Sequence, residues 1–150
     1  MNPLVDTWEI SSRINLYLLD SLSEDQLDAK LEKGRTPRTL FVHIQNVRLM
    51  WLKAGSPELL LGLAKLENDA SKEAIKAELI RSAQAVSTQV AGSLAADNRI
   101  KGFKPHVHAY VGYLISHESH HRGQLEILLR WAGQPISDKV SFGLWEWGSR

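Results

Sequence analysis

Proline occurs only five times in this chain, at positions 3, 37, 57, 105 and 135, and the long runs between carry apolar residues three and four positions apart. Proline lacks a backbone donor and fixes φ, so it suits the first turn of a helix or the stretch beyond its end, not the interior. The spacing therefore predicts helices that start at prolines and run uninterrupted to the next glycine or polar break.

Four long helices follow. The first is predicted from about Pro3, capped by Asn2, to about Leu19, with Ile10, Ile14, Tyr17 and Leu18 on one face. Ser23-Glu24-Asp25-Gln26 has the form of a capping box and predicts a short helical turn from Gln26 to Leu31, ahead of a loop at Lys33-Gly34-Arg35. The second helix has Thr36 as N-cap and Pro37 in its first position, carries Leu40, Ile44, Val47 and Trp51, and ends near Gly55.

Leu59 to Leu63 is apolar without a period and reads as irregular connection. The third helix runs from Ser71 or Lys72 to Ala95 on the stripe Ile75, Leu79, Ala83, Val86, Val90 and Leu94, and Asn98 to Lys104 is a loop. The fourth begins around Pro105 and reaches about Ala132, where Gly133 and Pro135 stop it. The aromatic segment from Val140 to Trp147 is too short to fold alone and is expected to cover the side or end of the bundle. No strand-like alternation or internal repeat competes, so the expectation is one all-α domain over residues 1–150. Its architecture is a four-helix bundle with a long first connection and an aromatic C-terminal tail.

Composition removes several function classes. Cysteine is absent, which excludes disulfides, a thiol nucleophile and sulfur-ligated metals. Eighteen basic side chains against 17 acidic ones, with no dense basic block, argue against a nucleic-acid partner. No apolar run approaches a membrane span and no leader pattern opens the chain, so a cytoplasmic location is expected.

The chemistry concentrates in the fourth helix at His117-Glu118-Ser119-His120-His121. Side chains four apart on a helix face lie close enough to share one metal ion. The same letters spell the H-E-x-x-H of zinc peptidases, with Glu118 as base. That reading needs a third ligand downstream, from Glu126, Asp138 or Glu146, and a strand to align peptide. Projected at about 100° per residue, Tyr110, Leu114, His121, Leu125 and Leu128 fall to one side of His117, which sets His117 and His121 within the apolar stripe and His120 toward its edge. Glu118 then has at most a supporting or pocket role.

On the second helix His43 likewise interrupts a stripe, between Leu40 and Val47. Three neutral imidazoles from two helices would leave a coordination position open, as catalytic zinc sites do. His106, His108 and His120 are expected at the surface or in supporting roles. Gly123 is expected to mark close helix packing, with room for a ligand as the other reading. Trp8 and Trp51 are expected in the core; Trp131, Trp145 and Trp147 suit either the bundle end or a subunit interface. Imidazole suits Zn, Ni, Fe and Cu, and zinc or nickel is the expected ion.

The segments Thr39-Leu-Phe-Val-His43-Ile, His117-Glu-Ser-His-His121-Arg-Gly-Gln-Leu and Leu128-Leu-Arg-Trp-Ala-Gly133 resemble the DinB/YfiT-like superfamily of bacterial metal-binding bundles. The resemblance spans nearly the whole chain. It implies a four-helix bundle, often a homodimer, with a divalent metal on His43, His117 and His121. It also implies a small-molecule substrate, handled by a metal-dependent hydrolase or by an S-transferase that uses a low-molecular-weight thiol. A non-catalytic bundle stabilised by its metal is the alternative, and many members of the superfamily have no known reaction.

Overall fold

The computed structural model describes residues 1–150. Four long helices dominate: α1 (Pro3–Ser21), α3 (Pro37–Gly55), α4 (Lys72–Ala95) and α5 (Val107–Trp131), with the short helices α2 (Glu24–Leu27) and α6 (Asp138–Gly143) between and after them. Both α4 and α5 pack against α1 and α3, which makes a four-helix bundle. None of the helices is long and apolar enough to cross a membrane.

The helix starts follow side-chain chemistry. Asn2, Thr36 and Ser71 each accept a backbone N–H of the first turn, and Thr36 and Thr39 cap each other reciprocally. Each such cap is worth about 1 kcal/mol. At the end of α5, Gly133 adopts φ 74°, Gln134 N–H bonds Leu129 C=O at 2.9 Å and Gly133 N–H bonds Arg130 C=O at 3.2 Å. This left-handed turn closes the last carbonyls, and glycine takes it without strain.

Three boundaries differ from the sequence expectation. The capping box at Ser23 and Gln26 forms, but its helix runs from Glu24 to Leu27 and not on to Leu31. Asn98 to Lys104 is not simply a loop: β1 (Arg99–Ile100) and β2 (Phe103–His106) pair as an antiparallel ribbon through Gly102 at φ 86°. Consequently α5 starts at Val107, because Pro105 belongs to the ribbon and the His106 ring accepts Ala109 N–H at 3.2 Å as the cap. The connection from α3 to α4 is also about as long as the first, with a 3-10 turn at Pro57–Leu60.

The core divides into two adjoining apolar clusters, one around Leu18, Phe41, Ile75 and Leu129, the other around Trp8, Leu52, Val90 and Leu114. Each fully buried large side chain stabilises the fold by about 1.5–3 kcal/mol. Trp8 is buried and donates its indole N–H to Ala83 C=O at 3.0 Å, whereas Trp51 is only half-buried. The tail folds back as expected: Leu144 and Trp147 join the first cluster, while Trp131 and Trp145 stay 75% and 80% exposed. Gly143 passes directly against the Tyr17 ring, leaving no room for a Cβ. Gly123, in contrast, has nothing within 4 Å of where a Cβ would stand, so close packing is not its reason, and nothing in the structure explains it.

Candidate metal centre

The α3–α5 seam carries the histidines. His43 comes from α3, His117 and His121 from successive turns of α5, and one nitrogen from each ring lies within 4.8 Å of the others. His117 Nε2 stands 3.1 Å from His121 Nε2 and 3.3 Å from His43 Nε2. Nitrogens bound at about 2.0–2.1 Å to one tetrahedral ion stand about 3.3–3.4 Å apart, close to this spacing. Neutral imidazoles meeting nitrogen to nitrogen can satisfy each other only in part, because each ring brings one N–H and one lone pair. Three ring nitrogens within 4.8 Å of one another could instead share a cation.

The residues around the rings reinforce that polarity. Gln124 Oε1 lies 2.8 Å from His121 Nδ1, so that nitrogen carries the proton and Nε2 presents its lone pair to the cluster. Tyr113, one turn before His117, stacks on its ring with 6.2 Å between centroids and 18° between planes. Burial is the main cause that holds all three imidazoles below their ordinary pKa, His43 at about 4, and the Arg35 guanidinium adds to it at each ring. Their nitrogens are therefore free bases at neutral pH, as ligation requires.

Not all of the stripe assignment survives. His121 is 8% exposed and lies within the buried face, but His117 and His43 are half-buried at its margin. The centre of the face runs through Leu114, Glu118 and Leu125. Glu118, one residue round the helix from His117, points into the bundle and lines no pocket of the site. Its oxygens accept from Arg48 Nε at 2.6 Å, Arg48 Nη2 at 2.9 Å and Asn15 Nδ2 at 2.6 Å. Arg48 also donates to Leu79 C=O and to the hydroxyls of Ser82 and Ser12, and it stacks over Trp8. One buried ion pair thus ties α1, α3, α4 and α5 together.

This commitment disposes of the peptidase reading. A carboxylate 1% exposed and held by a guanidinium and an amide in the bundle interior is out of reach of a substrate at the rings and is not placed to act as a general base. Glu126, Asp138 and Glu146 are not in the cluster; the third ring comes from His43, upstream. A ribbon does precede the motif, but it ends at His106, about 16 Å along the helix axis from His117.

His120 is exposed and stays outside the triad, its ring set edge-on to that of His121 at 5.1 Å between centroids. His106 and His108 are exposed at the far end of α5.

The sequence model of the DinB family matches residues 1–140. The chain belongs to the DinB family. Curated proteins and solved structures give no match. In this DinB-family chain the histidines at 43, 117 and 121 lie close enough together that they could hold a metal ion, with Gln124 and Tyr113 against two of the rings. Sequence reasoning passed over both supporting residues, although Tyr113 lies four positions before His117 and Gln124 three after His121, the spacings that place side chains together.

Proposed function

We propose that this DinB-family chain binds one divalent metal ion on His43, His117 and His121, and that the site acts on a small molecule as a metal-dependent hydrolase or thiol-dependent S-transferase. The observation that carries the reading is the convergence of three imidazole Nε2 atoms at 3.1 and 3.3 Å spacing, without a carboxylate among them. Zinc and nickel, the ions proposed, both suit this nitrogen donor set, as iron and copper do. When bound, such an ion supplies Lewis acidity sufficient to ionise a water or a thiol near neutral pH.

The chain's own residues set the conditions for that chemistry. Gln124 holds the His121 ring in one tautomer, and Tyr113 limits rotation of the His117 ring by stacking. The buried Arg48–Glu118 pair fixes α3 against α5, so that the two ligand-bearing helices keep their register. No acidic residue lines the cavities at His43 and His121 to serve as general base, which favours chemistry in which the nucleophile is already ionised.

The test is turnover on a panel of small esters, amides and thiol acceptors, with and without a low-molecular-weight thiol, using zinc-loaded, nickel-loaded and chelated protein. The proposal expects turnover that disappears in chelator and in His117→Ala. Absence of turnover, with a large chelator-induced drop in melting temperature, would instead make the ion a structural element.

A further inference from the structure

Two cavities meet at the loop between α2 and α3, each reaching one ring of the triad. The first, about 380 Å³, reaches His43; the second, about 530 Å³, reaches His121; they share Gly34 and Arg35. No acidic residue lines either one, while Lys30 and Arg35 line the first and Lys33 and Arg35 the second.

The polar groups still available inside these cavities can be found by elimination. Of those lining the first, Thr36 and Thr39 are engaged in capping α3. Asn46 exchanges two hydrogen bonds with the backbone of Leu66. What remains is Lys30, Arg35 and Asn68. In the second cavity the Gln124 carbonyl is taken by His121, leaving its amide N–H groups and Lys33. None of Lys30, Lys33 and Arg35 forms an ion pair. Ammonium and guanidinium groups donate only. Both cavities therefore present an excess of donors and positive charge, and the second adds an apolar wall of Leu40, Ile127 and Leu128.

We propose that the site takes a small anion with a short apolar arm: its carboxylate or phosphate group lies on Lys30, Arg35 and Asn68, and its arm lies against Leu40, Ile127 and Leu128. This rests on the metal-site reading, since it places the bond to be acted on between the two cavities, over the triad. Arg35, at the junction, selects the ligand by charge and by its fork of donors.

The experiment uses hexanoate, hexyl phosphate and neutral hexanamide as calorimetric probes on zinc-loaded protein and on the double variant Lys30→Gln/Arg35→Gln, with zinc stoichiometry measured first on both. Wild type is expected to bind an anionic probe at least about tenfold more tightly than hexanamide, an advantage that shrinks at high salt and is lost in the variant at unchanged zinc content. Whichever anion binds more tightly identifies the head group. Equal binding of all three probes, or none, overturns the proposal. So does an anion preference that survives in the variant, because the anion then sits on the ion and not on the side chains. Failure to load zinc, with the anion preference intact and Lys30/Arg35-dependent in metal-free protein, would overturn the metal reading and leave the anion site standing.

Discussion

Arg48 and Glu118 meet in the interior at 2.6 and 2.9 Å, each only 1% exposed, and Glu118 is the sequence neighbour of His117. A charge left alone at such depth is expensive, so removing one partner of a buried pair costs about 3–5 kcal/mol, whereas replacing both by apolar groups costs far less. Glu118→Gln is expected to lower unfolding free energy by about 3 kcal/mol in urea titration, and Arg48→Met/Glu118→Leu to recover most of the loss. An unaltered urea midpoint for Glu118→Gln would mean that the pair does not organise the bundle.

Gln124 accepts from His121 Nδ1 at 2.8 Å and so orients the ring. Losing such a support typically lowers metal affinity about 10–100-fold. Gln124→Leu should weaken zinc binding by that range in competition with a chromophoric chelator, and Gln124→Glu should restore it. Equal affinity in wild type and Gln124→Leu would show that packing alone holds the ring.

The three imidazoles titrate below their ordinary pKa, His43 at about 4, chiefly through burial. In the metal-free protein the unfolded chain takes up protons at about pH 6.5 while the folded chain resists them. Stability is therefore complete above about pH 6.5 and falls as pH drops from there toward about 4. Urea midpoints across that window should decline for wild type and decline less for His43→Phe. A parallel decline in the two proteins would assign the acid sensitivity to other groups.

Gly143 leaves no space for a methyl group beside the Tyr17 ring, and Arg150 stacks over that ring at 3.8 Å from its centroid. Gly143→Ala should destabilise the docked tail by about 1–3 kcal/mol, with faster proteolysis after residue 137. Combining it with Tyr17→Ala should remove the clash and most of the difference between Gly and Ala at 143.

Much of this architecture is legible in the residues themselves. Thr36-Pro37 and Gly133-Gln134-Pro135 mark helix ends by local chemistry, and His117 with His121 needs only the helical repeat. The missed features depend on long-range partners. Glu118 reads as at most a supporting or pocket residue of the metal site, and its partner Arg48, 70 residues away in the chain, is found only once α3 and α5 are brought together. Lys33-Gly34-Arg35 reads only as a loop, and nothing local shows that it borders the cavities at His43 and His121. The ribbon before α5 is too short for an alternating pattern, since β1 holds only two residues.

The central claim is that three imidazoles from two helices hold one ion. Zinc titration of wild type and His43→Ala, followed by calorimetry and by metal content after dialysis, tests it most directly. One zinc per chain in wild type, with affinity at least about 100-fold weaker in His43→Ala at unchanged helicity, is the predicted result. Equal zinc affinity in the two proteins, or no retained zinc in wild type, would contradict it.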